Sequence, residues 1–594
     1  MKAILPDSSG LSPSNTSAPS VPPAELAEAR LGDPLNPNRT MSFAYARHID
    51  ESESFPSDAI HALYDHGFHR YFVPTELGGS FRSFAELGEL IRVLSRRDLT
   101  CAVAFSTLFW SFLTWMEGSD EQKSFLADFI LRQEGAMCLA YSEKDHGSDL
   151  LAGDTVAKSG PDGFRVSGEK WPINRATISG VCYLLATTNA SAGPRGLSLF
   201  MLDKSRLDKA HFSNLPKAPT HGLRGSDVSG IRFHDCLIPA DAIVGRTGMG
   251  LEIALKGFQV TRALCAAFSL GAGDTALRTT LHFASNRKLY HERVVDIPHC
   301  AATLSDAFID LLICDCVTAS GLRAFHAVPE QMSVWSAAVK YFVPTAIESM
   351  MQRLSVVMGA RGYMRDEHEC GTFQRVLRDA SIVSIFDGST VVNLHALVLQ
   401  FRQLARRRSG HADHESKLGR IFNLDASVEA FDPGRLSLAS RHGNEALDGF
   451  GSTLRVIKSR ELAHGVREQD LERIVAFAEQ LALEIEKHQL QFASAEFETG
   501  HLQPAKAFET ARKYCGLHAA ASCLHTWART DRHVSSFFSS GRWLPLAGER
   551  IFRNYLGRPE PEWGNPSSLE AVEELKRLDQ EGRMFSIAGL RLGS

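Results

Sequence analysis

The sequence predicts an α+β protein that is mainly α-helical. We expect, in chain order, an N-terminal helical domain, a small central β-barrel or β-sandwich domain, a C-terminal four-helix bundle and an additional C-terminal helical region. Apolar residues recur at helical spacing before about residue 135 and again after about residue 250. Between these regions lie short segments that are rich in β-branched and aromatic residues, which favour strands.

Residues 1–40 are predicted to form a disordered leader. The segment is rich in Pro and Ser, and it has neither the apolar core of a secretion signal nor an arginine-rich amphipathic pattern. We therefore expect a cytoplasmic protein.

Residues 41–135 are predicted to form the N-terminal helical domain. Three apolar stripes have helical spacing: Ala59, Ile60, Leu63 and Tyr64; Leu87, Leu90, Ile91 and Leu94; and Phe105, Leu108, Phe109 and Phe112. Pro74 and the pair Gly78-Gly79 separate the first stripe from the second, which indicates several short helices.

Residues 136–245 are predicted to form the β-domain. The segments GFRVSGEKWPI, VCYLLATT, GLSLFMLD and SGIRFHDCLI are separated by Gly, Asn, Asp and Pro, as expected for strands joined by turns. Pro239 and Gly245 mark the end of this domain.

Helical periodicity returns in residues 246–408, which predict a bundle of antiparallel helices, and it continues in residues 409–594. The longest helical patterns run over 304–327, 335–358, 471–490 and 505–528. No group of residues in the last region has a catalytic pattern.

Composition excludes several classes of protein. The 64 Lys and Arg nearly balance the 69 Asp and Glu, and no basic stripe interleaved with aromatics occurs, so we do not expect nucleic acid as a partner. The 11 cysteines show no pairing or metal-binding pattern, which predicts reduced thiols and no metal site. We find no apolar stretch long enough to span a bilayer and expect no membrane contact.

The most informative segment is FQRVLRDASIVSIFDGSTVV, residues 373–392, in which Asp387 follows an apolar run and precedes a Gly-Ser-Thr turn. An acid at the edge of an apolar surface loses water, so its proton affinity rises, as a general base for a weakly acidic proton requires. The alternative is that Asp387 caps a helix that begins near Ser389.

Two polar loops could bind a ligand. In AYSEKDHGSDL, residues 140–150, small hydroxyls and glycine follow a strand and could contact carbonyls or phosphates, although such loops are usually turns. In GEKWPINRAT, residues 168–177, Trp171 could stack on a flat ring while Asn174 and Arg175 hold its edges. A core tryptophan at a strand end is the alternative.

Two further segments have weaker patterns. HGLRGSDVSGIRFHDCLIP, residues 221–239, is a turn followed by a strand. Arg287 in SNRKLY follows a helical run and could clamp a phosphate, although an exposed arginine without a partner is the commoner case.

Taken in order, these segments resemble the acyl-CoA dehydrogenase family of flavoproteins over about residues 42–406. AYSEKDHGSD is similar to the family's Thr-Glu-Pro-x-x-Gly-Ser-Asp loop, and LRGSDVSGIRFHDCLIP to its Arg-Gly-Ser-x-Thr strand. FQRVLRDASIVSIFDGS is similar to its Arg-Asp-Ala…Ile-Tyr-Glu-Gly-Thr segment. Several motifs in the family's order are strong evidence where each alone is moderate.

The resemblance implies bound FAD, held between the β-domain and the bundle. By this resemblance Ser142 contacts the flavin ring, and Trp171 or Asn174 lies against it. Pro172 stands where the family usually has a stacking tryptophan. Ser148 contacts the thioester arm or its carrier.

The same comparison implies roles for residues of the bundle. Arg287 and Tyr290 bind the FAD diphosphate and adenosine region, and Ser389 belongs to the cofactor site. Thr261 contacts substrate, Arg262 acts beside the base, and Asp387 is the base. Because position 261 is Thr, the glutamate that a minority branch places there is absent.

Three departures from the family pattern stand out. The base is aspartate rather than glutamate, which shortens its reach by one methylene, about 1.5 Å. Val356, Arg361 and Val391 stand where the family often has Gln, Asn and Gln reaching FAD across a subunit interface, although Arg361 could bind the diphosphate instead. The region after about residue 410 resembles the helical extension of longer members only loosely.

The sequence therefore predicts FAD-dependent α,β-dehydrogenation of an acyl thioester, on CoA or an acyl-carrier protein, to the 2-enoyl thioester. Electrons would pass to an electron-transfer flavoprotein or to oxygen, and the working form would be a homodimer or homotetramer. Flavin-dependent nitroalkane oxidases, relatives of this family, also use an aspartate, so an oxidase or monooxygenase acting on a non-thioester substrate is the first alternative. A non-catalytic flavoprotein scaffold is the second.

Overall fold

A computed structural model of the chain describes residues 21–405, 413–459, 466–494, 502–558, 563–564 and 568–593. These residues form helices on either side of a central curled sheet, followed by further helices. The predicted fold class, mainly helical α+β with this order of regions, is confirmed.

The N-terminal region contains short helices that pack around buried aromatic rings. They are α1 (Pro23–Leu31), α2 (Phe43–Ser52), α3 (Ser57–Asp65), α4 (Phe84–Arg97), α5 (Leu99–Phe105), α6 (Ser111–Glu117) and α7 (Asp120–Arg132). Ser83 and Ser119 begin α4 and α7 by accepting hydrogen bonds from the backbone N–H groups of Glu86 and Gln122. These caps fix where each chain segment enters the core.

The predicted disordered leader is wrong for α1, which lies inside residues 1–40. Ala24, Ala27 and Leu31 of this helix are buried. Glu28 is also buried and accepts bonds from Arg96 and Arg97, which lower its pKa to about 2 although burial opposes this. The apolar face of this short helix was not recognised because the residues around it are rich in Pro and Ser. Residues 1–20 lie outside the described residues.

The sheet is built from β1 (Met137–Ala140), β2 (Val156–Gly160), β3 (Gly163–Asn174), β4 (Val181–Thr187), β5 (Leu197–Asp203), β6 (Phe212–Leu215) and β7 (Val228–Ile238). Its order in the described residues is β1-β4-β2-β3-β7-β6, with β5 on the other edge of β4. Strand β3 runs antiparallel to β7 and pairs Asn174 with Val228. Their register shifts between Lys170 and Ile173, where Pro172 has no N–H to donate.

The next region contains the longest helices, which pack side by side. They are α8 (Gly250–Asn286), α9 (Pro298–Ala327), α10 (Met332–Met358), α11 (His368–Ala380), α12 (Thr390–Val398) and α13 (Phe401–Ala405), with a hairpin of β8 (Lys288–Leu289) and β9 (Glu292–Arg293) after α8. Helices α4 and α8 approach closely at Gly271, where a Cβ would lie 2.1 Å from Ser95 Oγ. The core of the bundle is thereby continuous with the N-terminal helices.

The extension covers α9 and α10. It contains α14 (His414–Phe422), α15 (Glu445–Asp448), α16 (Phe450–Lys458), α17 (Glu468–Ser494), α18 (Ala505–Arg529), α19 (Ser536–Ser539), α20 (Trp543–Ile551) and α21 (Leu569–Gln580). The final segment returns to the N-terminal helices, where Arg92 donates to the Phe585 carbonyl (3.0 Å). The extension therefore shares one core with the rest of the molecule. The predicted boundary at 408/409 falls outside the described residues.

Within the described residues, two segments are long and apolar enough to cross a membrane, which corrects the prediction that none exists. Leu99–Glu117 and Gly250–Asn286 reach mean hydropathies of 1.5 and 1.2. In each, 78% of the most apolar window is buried inside the protein, as in core helices.

Candidate active site

Asp387 lies half-buried in the turn that joins α11 to α12. Its φ of 55° and the φ of 98° at Gly388 are left-handed, a conformation that Asp tolerates better than most side chains. Ser389, not Asp387, caps α12: its Oγ accepts from the Val392 N–H at 3.5 Å. The capping alternative for Asp387 is therefore wrong, and Ser389 already has a structural partner.

Helix α8 presents one face to Asp387. The Arg262 Nε donates to the backbone carbonyl of Asp387 at 3.0 Å, and a Cβ on Gly388 would lie 2.8 Å from Arg262 Nη2. One turn further, the Cys265 Sγ lies 3.8 Å from Asp387 Oδ2. Thr261 is 1% exposed, and its hydroxyl lies beside the Asp387 carboxylate, whose ionised form it stabilises. Arg262 thus positions the backbone of the turn, while Cys265 contacts the carboxylate.

Helix α10 supplies a buried cation. Lys340 is 1% exposed, donates from Nζ to the Val383 carbonyl at 2.5 Å and lies 4.4 Å from the centre of the Phe386 ring. Its charge stabilises the ionised form of Asp387. Lys340 therefore ties α10 to the turn that carries Asp387.

Burial dominates the electrostatics of Asp387. It raises the pKa of the carboxyl above its usual value, while Lys340, Thr261, Arg262 and Cys265 oppose the rise in that order. Burial also lowers the pKa of Arg262 to about 10 and raises that of Cys265 to about 12. The prediction that Asp387 has a raised proton affinity agrees with this. The apolar run before it is only partly buried, since Ile385 is 59% exposed.

Sequence reasoning missed Lys340 and Cys265. Both had a signal: Lys340 is the one charged residue in WSAAVKYFV, residues 335–343, and Cys265 lies four residues after Thr261, on the same face of a helix.

The two polar loops of the β-domain meet beside β3. The Trp171 N–H donates to the Ser142 carbonyl at 3.0 Å. Next to them, Lys170 Nζ lies 2.7 Å from Glu143 Oε1, and both side chains are buried. This ion pair, which sequence reasoning also missed, fixes the 140–150 loop against β3.

The residues of this corner fit a flavin ring. The Tyr141 hydroxyl and the Asn174 Oδ1 are enclosed and have no hydrogen-bond partner among the described residues, and each can contact a polar ring edge. Trp171 is half-buried beside them. Arg175 is not available as an edge cation, because it donates to the Ala104 carbonyl at 3.0 Å and lies 5.1 Å from the Phe55 ring centre.

The residues assigned to the diphosphate and the thioester arm lie on the surface. Arg287 ends α8, and Tyr290, in the hairpin after it, is 92% exposed. Ser148 is exposed in its loop, and Arg361 is paired with Glu367. In the part of the chain that the structure describes, no hydrogen bond or ion pair links Ser148, Arg287 or Tyr290 to Asp387.

Arg378 and Asp379 join three regions near the candidate site. Arg378 Nη2 lies 2.5 Å from Asp50 Oδ1 of α2, and Asp379 Oδ1 accepts from the Leu223 N–H at 2.9 Å. Burial raises the pKa of Asp379 to about 6. This pair therefore holds the 221–239 segment and α2 against the helix that precedes Asp387.

Comparison with known proteins agrees with this architecture. Family models of the acyl-CoA dehydrogenase N-terminal, middle and C-terminal domains match residues 40–134, 138–236 and 248–399. The chain is 28% identical over 352 residues to the probable acyl-CoA dehydrogenase FadE25 of Mycobacterium tuberculosis, which covers 59% of this chain and 88% of the relative.

Two more distant proteins are also similar. The human mitochondrial short-chain specific acyl-CoA dehydrogenase is 25% identical over 353 residues, covering 59% of this chain and 84% of that protein. The structure of butyryl-CoA dehydrogenase from Megasphaera elsdenii superposes with a TM-score of 0.58 at 19% identity, over 63% of this chain and 95% of that one.

The matched ranges carry the Asp387 turn, the α8 face and the Ser142–Trp171 corner, and they end before the extension. The cofactor expected from the resemblance is FAD, and the polar atoms left open at Tyr141 and Asn174 suit it. An enzyme is confirmed, which leaves no support for a non-catalytic scaffold. The chain belongs to the acyl-CoA dehydrogenase family and is an FAD-dependent oxidoreductase.

Proposed function

We propose that the protein catalyses α,β-dehydrogenation of an acyl thioester, with Asp387 as the general base. The observation that carries the proposal is a carboxyl with a raised pKa, held in a turn by Arg262 and facing the buried cation Lys340. The relatives named above are acyl-CoA dehydrogenases, which supports a thioester as substrate.

The α-proton of a thioester is weakly acidic, so the base must have a high proton affinity and the carbonyl oxygen must be polarised. Desolvation gives the Asp387 carboxyl the first property. The Asp387 N–H donates to no acceptor among the described residues, so it is free to bind the substrate carbonyl. One residue then both removes the proton and stabilises the charge that develops.

When bound, FAD supplies the two-electron acceptor that this reaction needs. Ser142, Trp171 and Asn174 would hold its ring, and Arg287, Tyr290, Arg361 and Ser389 the remaining parts. Ser148 would contact the thioester arm. Arg361 must leave Glu367 to take part.

Thr261 and Arg262 complete the set beside the base. Thr261 is buried beside the Asp387 carboxylate, which suits a contact to substrate at the base. Arg262 acts on the turn through the backbone carbonyl of Asp387, so it serves catalysis by placing the carboxylate. We further propose a cytoplasmic homodimer or homotetramer in fatty acid metabolism that passes electrons to an electron-transfer flavoprotein or to oxygen.

The test is anaerobic mixing of the FAD-loaded protein with a panel of acyl-CoA and acyl-carrier thioesters, following loss of the oxidised flavin absorbance. Asp387→Asn should keep its FAD and slow the reaction by about 10²–10⁴-fold, the usual contribution of a general base. Asp366→Asn, at an exposed acid of the preceding loop, is the matched control and should react as wild type. Reduction of Asp387→Asn at the wild-type rate would contradict the base assignment.

An oxidase of the nitroalkane-oxidase type is the second candidate, because the base is an aspartate. Rapid hydrogen peroxide formation with a small carbon acid, together with no loss of flavin absorbance for any acyl thioester in the panel, would favour it. Loss of that absorbance with a thioester and slow reoxidation in air would exclude it.

A further inference from the structure

A cavity of about 320 Å³ lies between the extension and the long helices of the bundle. Its lining includes Tyr341 and Arg353 of α10, Arg512 of α18 and Arg550 of α20. Its lining includes none of the side chains that surround Asp387. The cavity exists because the extension covers α10, and nothing in the proposed reaction uses it.

Three arginine side chains line the cavity, and they differ in how closely carboxylates neutralise their charges. Arg550 is bound by Asp306 and Asp310, and Arg353 shares Asp310. Arg512 Nε lies 3.8 Å from Glu509 Oε2. This distance is too long for a hydrogen bond, and the Glu509 side chain is 63% exposed, so the attraction is screened.

Two guanidinium N–H groups have no acceptor. The Nε atoms of Arg353 and Arg512 are enclosed and have no hydrogen-bond partner among the described residues. An enclosed donor without a partner is destabilising, and more so when it is charged. Arg353 Nη1 bonds Ser349 Oγ at 2.8 Å and Arg512 Nη1 bonds the Asn554 carbonyl at 3.1 Å, so both side chains are held in place. Both donors are therefore held in place in the lining of the cavity.

An aromatic surface lies beside these donors. The rings of Phe342 and Tyr555 lie 4.8 Å apart, and the guanidinium carbon of Arg512 is 5.7 Å from the Tyr555 ring centre. Tyr555 belongs to a π-helical turn, Phe552–Leu556, that continues α20. Such turns are rare and occur often at functional sites.

We propose that this cavity binds a small organic anion, a carboxylate or a phosphate monoester with an apolar or aromatic body. Arg353 and Arg512 would donate to the anionic group through their open Nε atoms, since guanidinium groups suit both carboxylate and phosphate. The apolar part would lie against Phe342 and Tyr555. A volume of about 320 Å³ is within the range of small-molecule sites. The inference does not depend on the reaction catalysed at Asp387.

The test is isothermal titration of the FAD-loaded full-length protein with phenyl phosphate, benzoate and the neutral analogue phenol. We expect saturable binding of one anionic probe per chain and none of phenol, and the two anions separate a phosphate site from a carboxylate site. Arg512→Gln should weaken binding at least tenfold, because it removes a charge-assisted donor. Arg532→Gln is the matched control: Arg532 lies in the same extension, its side chain is 86% exposed, and it does not line the cavity.

Arg353→Gln repeats the comparison at the second open Nε atom, so the test does not depend on one variant. The wild-type protein also tests the proposal without any variant. If neither phenyl phosphate nor benzoate bound saturably to it, the proposal would be overturned. Equal weakening by Arg532→Gln, or stoichiometric displacement of the probe by an acyl-CoA, would also overturn it, because the anion would then bind elsewhere.

Discussion

Two clusters of acidic and basic side chains lie along α8, and they differ in how tightly their charges are paired. The first surrounds Asp387 and contains Arg262, Cys265 and Lys340. The second, at the other end of the helix, places His282 between Glu369 (Nδ1–Oε1 2.6 Å) and Asp579 (Nε2–Oδ1 3.1 Å). At 1.5 Å per residue, about 25 Å of helix separates Cys265 from His282.

The acids of both clusters occupy strained backbone. Asp387 has a φ of 55°, and Glu369 begins a left-handed run with φ values of 53°, 59° and 64° at Glu369, Cys370 and Gly371. For residues other than glycine such conformations cost about 1–3 kcal/mol each and persist where the surroundings hold them. In the His282 cluster, paired charges and the bond from Thr279 to Glu369 (2.5 Å) hold the turn. In the Asp387 cluster the charged donor Arg262 holds the backbone carbonyl. The carboxylate itself is contacted by the uncharged groups of Thr261 and Cys265, which leaves it available for chemistry.

The pairing also decides the direction of each pKa shift. Asp387 lacks an ion pair within the described residues, and burial raises its pKa. Burial works against His282⁺, but the two carboxylates prevail and raise its pKa to about 9. Helix α8 thus contacts, near Cys265, the incompletely paired carboxyl of Asp387, and it carries at its other end the His282 imidazolium, which links two carboxylates. Substitutions in the His282 cluster should therefore change the stability of the protein, whereas substitutions in the Asp387 cluster should change the pH dependence of the reaction rate.

The largest effect on stability is expected for His282→Gln, which should destabilise the protein by about 2–3 kcal/mol at pH 6, with little change in the rate of the chemical step. The folded pKa is raised above the unfolded value of about 6.5, so the stabilisation is complete below pH 6.5 and is lost as the pH rises through 9. Denaturant melts of wild type and variant from pH 6 to 10 measure this difference, which should disappear above pH 9.

His48→Gln is the control, since His48 is an exposed histidine of α2. It should show no such pH-dependent difference. A stability difference for His282→Gln that stays constant from pH 6 to 10 would mean that packing, not the charge of the imidazolium, holds the tail to α8.

Lys340→Met should slow the reaction about tenfold at pH 6, which corresponds to a smaller change in free energy than the loss of stability expected for His282→Gln. The ammonium lowers the pKa of Asp387, so its removal should move the acid limb of the rate–pH profile to higher pH and leave the rate at high pH closer to wild type. Anaerobic reduction by an acyl thioester, measured from pH 5.5 to 9, gives the profile.

Lys340→Arg keeps the charge and should keep the position of the acid limb. Both variants disturb the bond to the Val383 carbonyl, so a structural role alone would slow them equally at all pH values. An unshifted limb in Lys340→Met would show that Lys340 does not set the proton affinity of the base.

The fold was largely predictable because long periodic segments dominate it. The patterns over 304–327 and 505–528 lie within α9 and α18, whose buried residues impose the spacing that was used to find them. Helix α1 was missed because a single short amphipathic pattern in a Pro- and Ser-rich segment is a weak signal for a helix. In addition, Glu28 is buried by its bonds to Arg96 and Arg97, which are remote in sequence and give no local pattern.

The site was predictable only where a local motif carried it. Asp387, Ser142 and Trp171 stand in short motifs, and the structure brings Ser142 and Trp171 together. Lys340 and Cys265 reach Asp387 from separate helices. His282 meets Glu369 and Asp579 across 87 and 297 residues, so only the packing of the helices reveals these contacts. No local spacing encodes such neighbours.

The smallest effect, about two- to threefold in rate, is expected for Cys265→Ala. Its thiol is a weak donor to Asp387 Oδ2 at 3.8 Å and contributes the last and smallest of the influences that lower the pKa of that carboxyl. Its loss should therefore move the acid limb in the same direction as Lys340→Met, but less far. Cys265→Ser, which keeps a donor, should remain at the wild-type position. If Cys265→Ala shifted the limb further than Lys340→Met, direct hydrogen bonding rather than the charge of the buried cation would control the base.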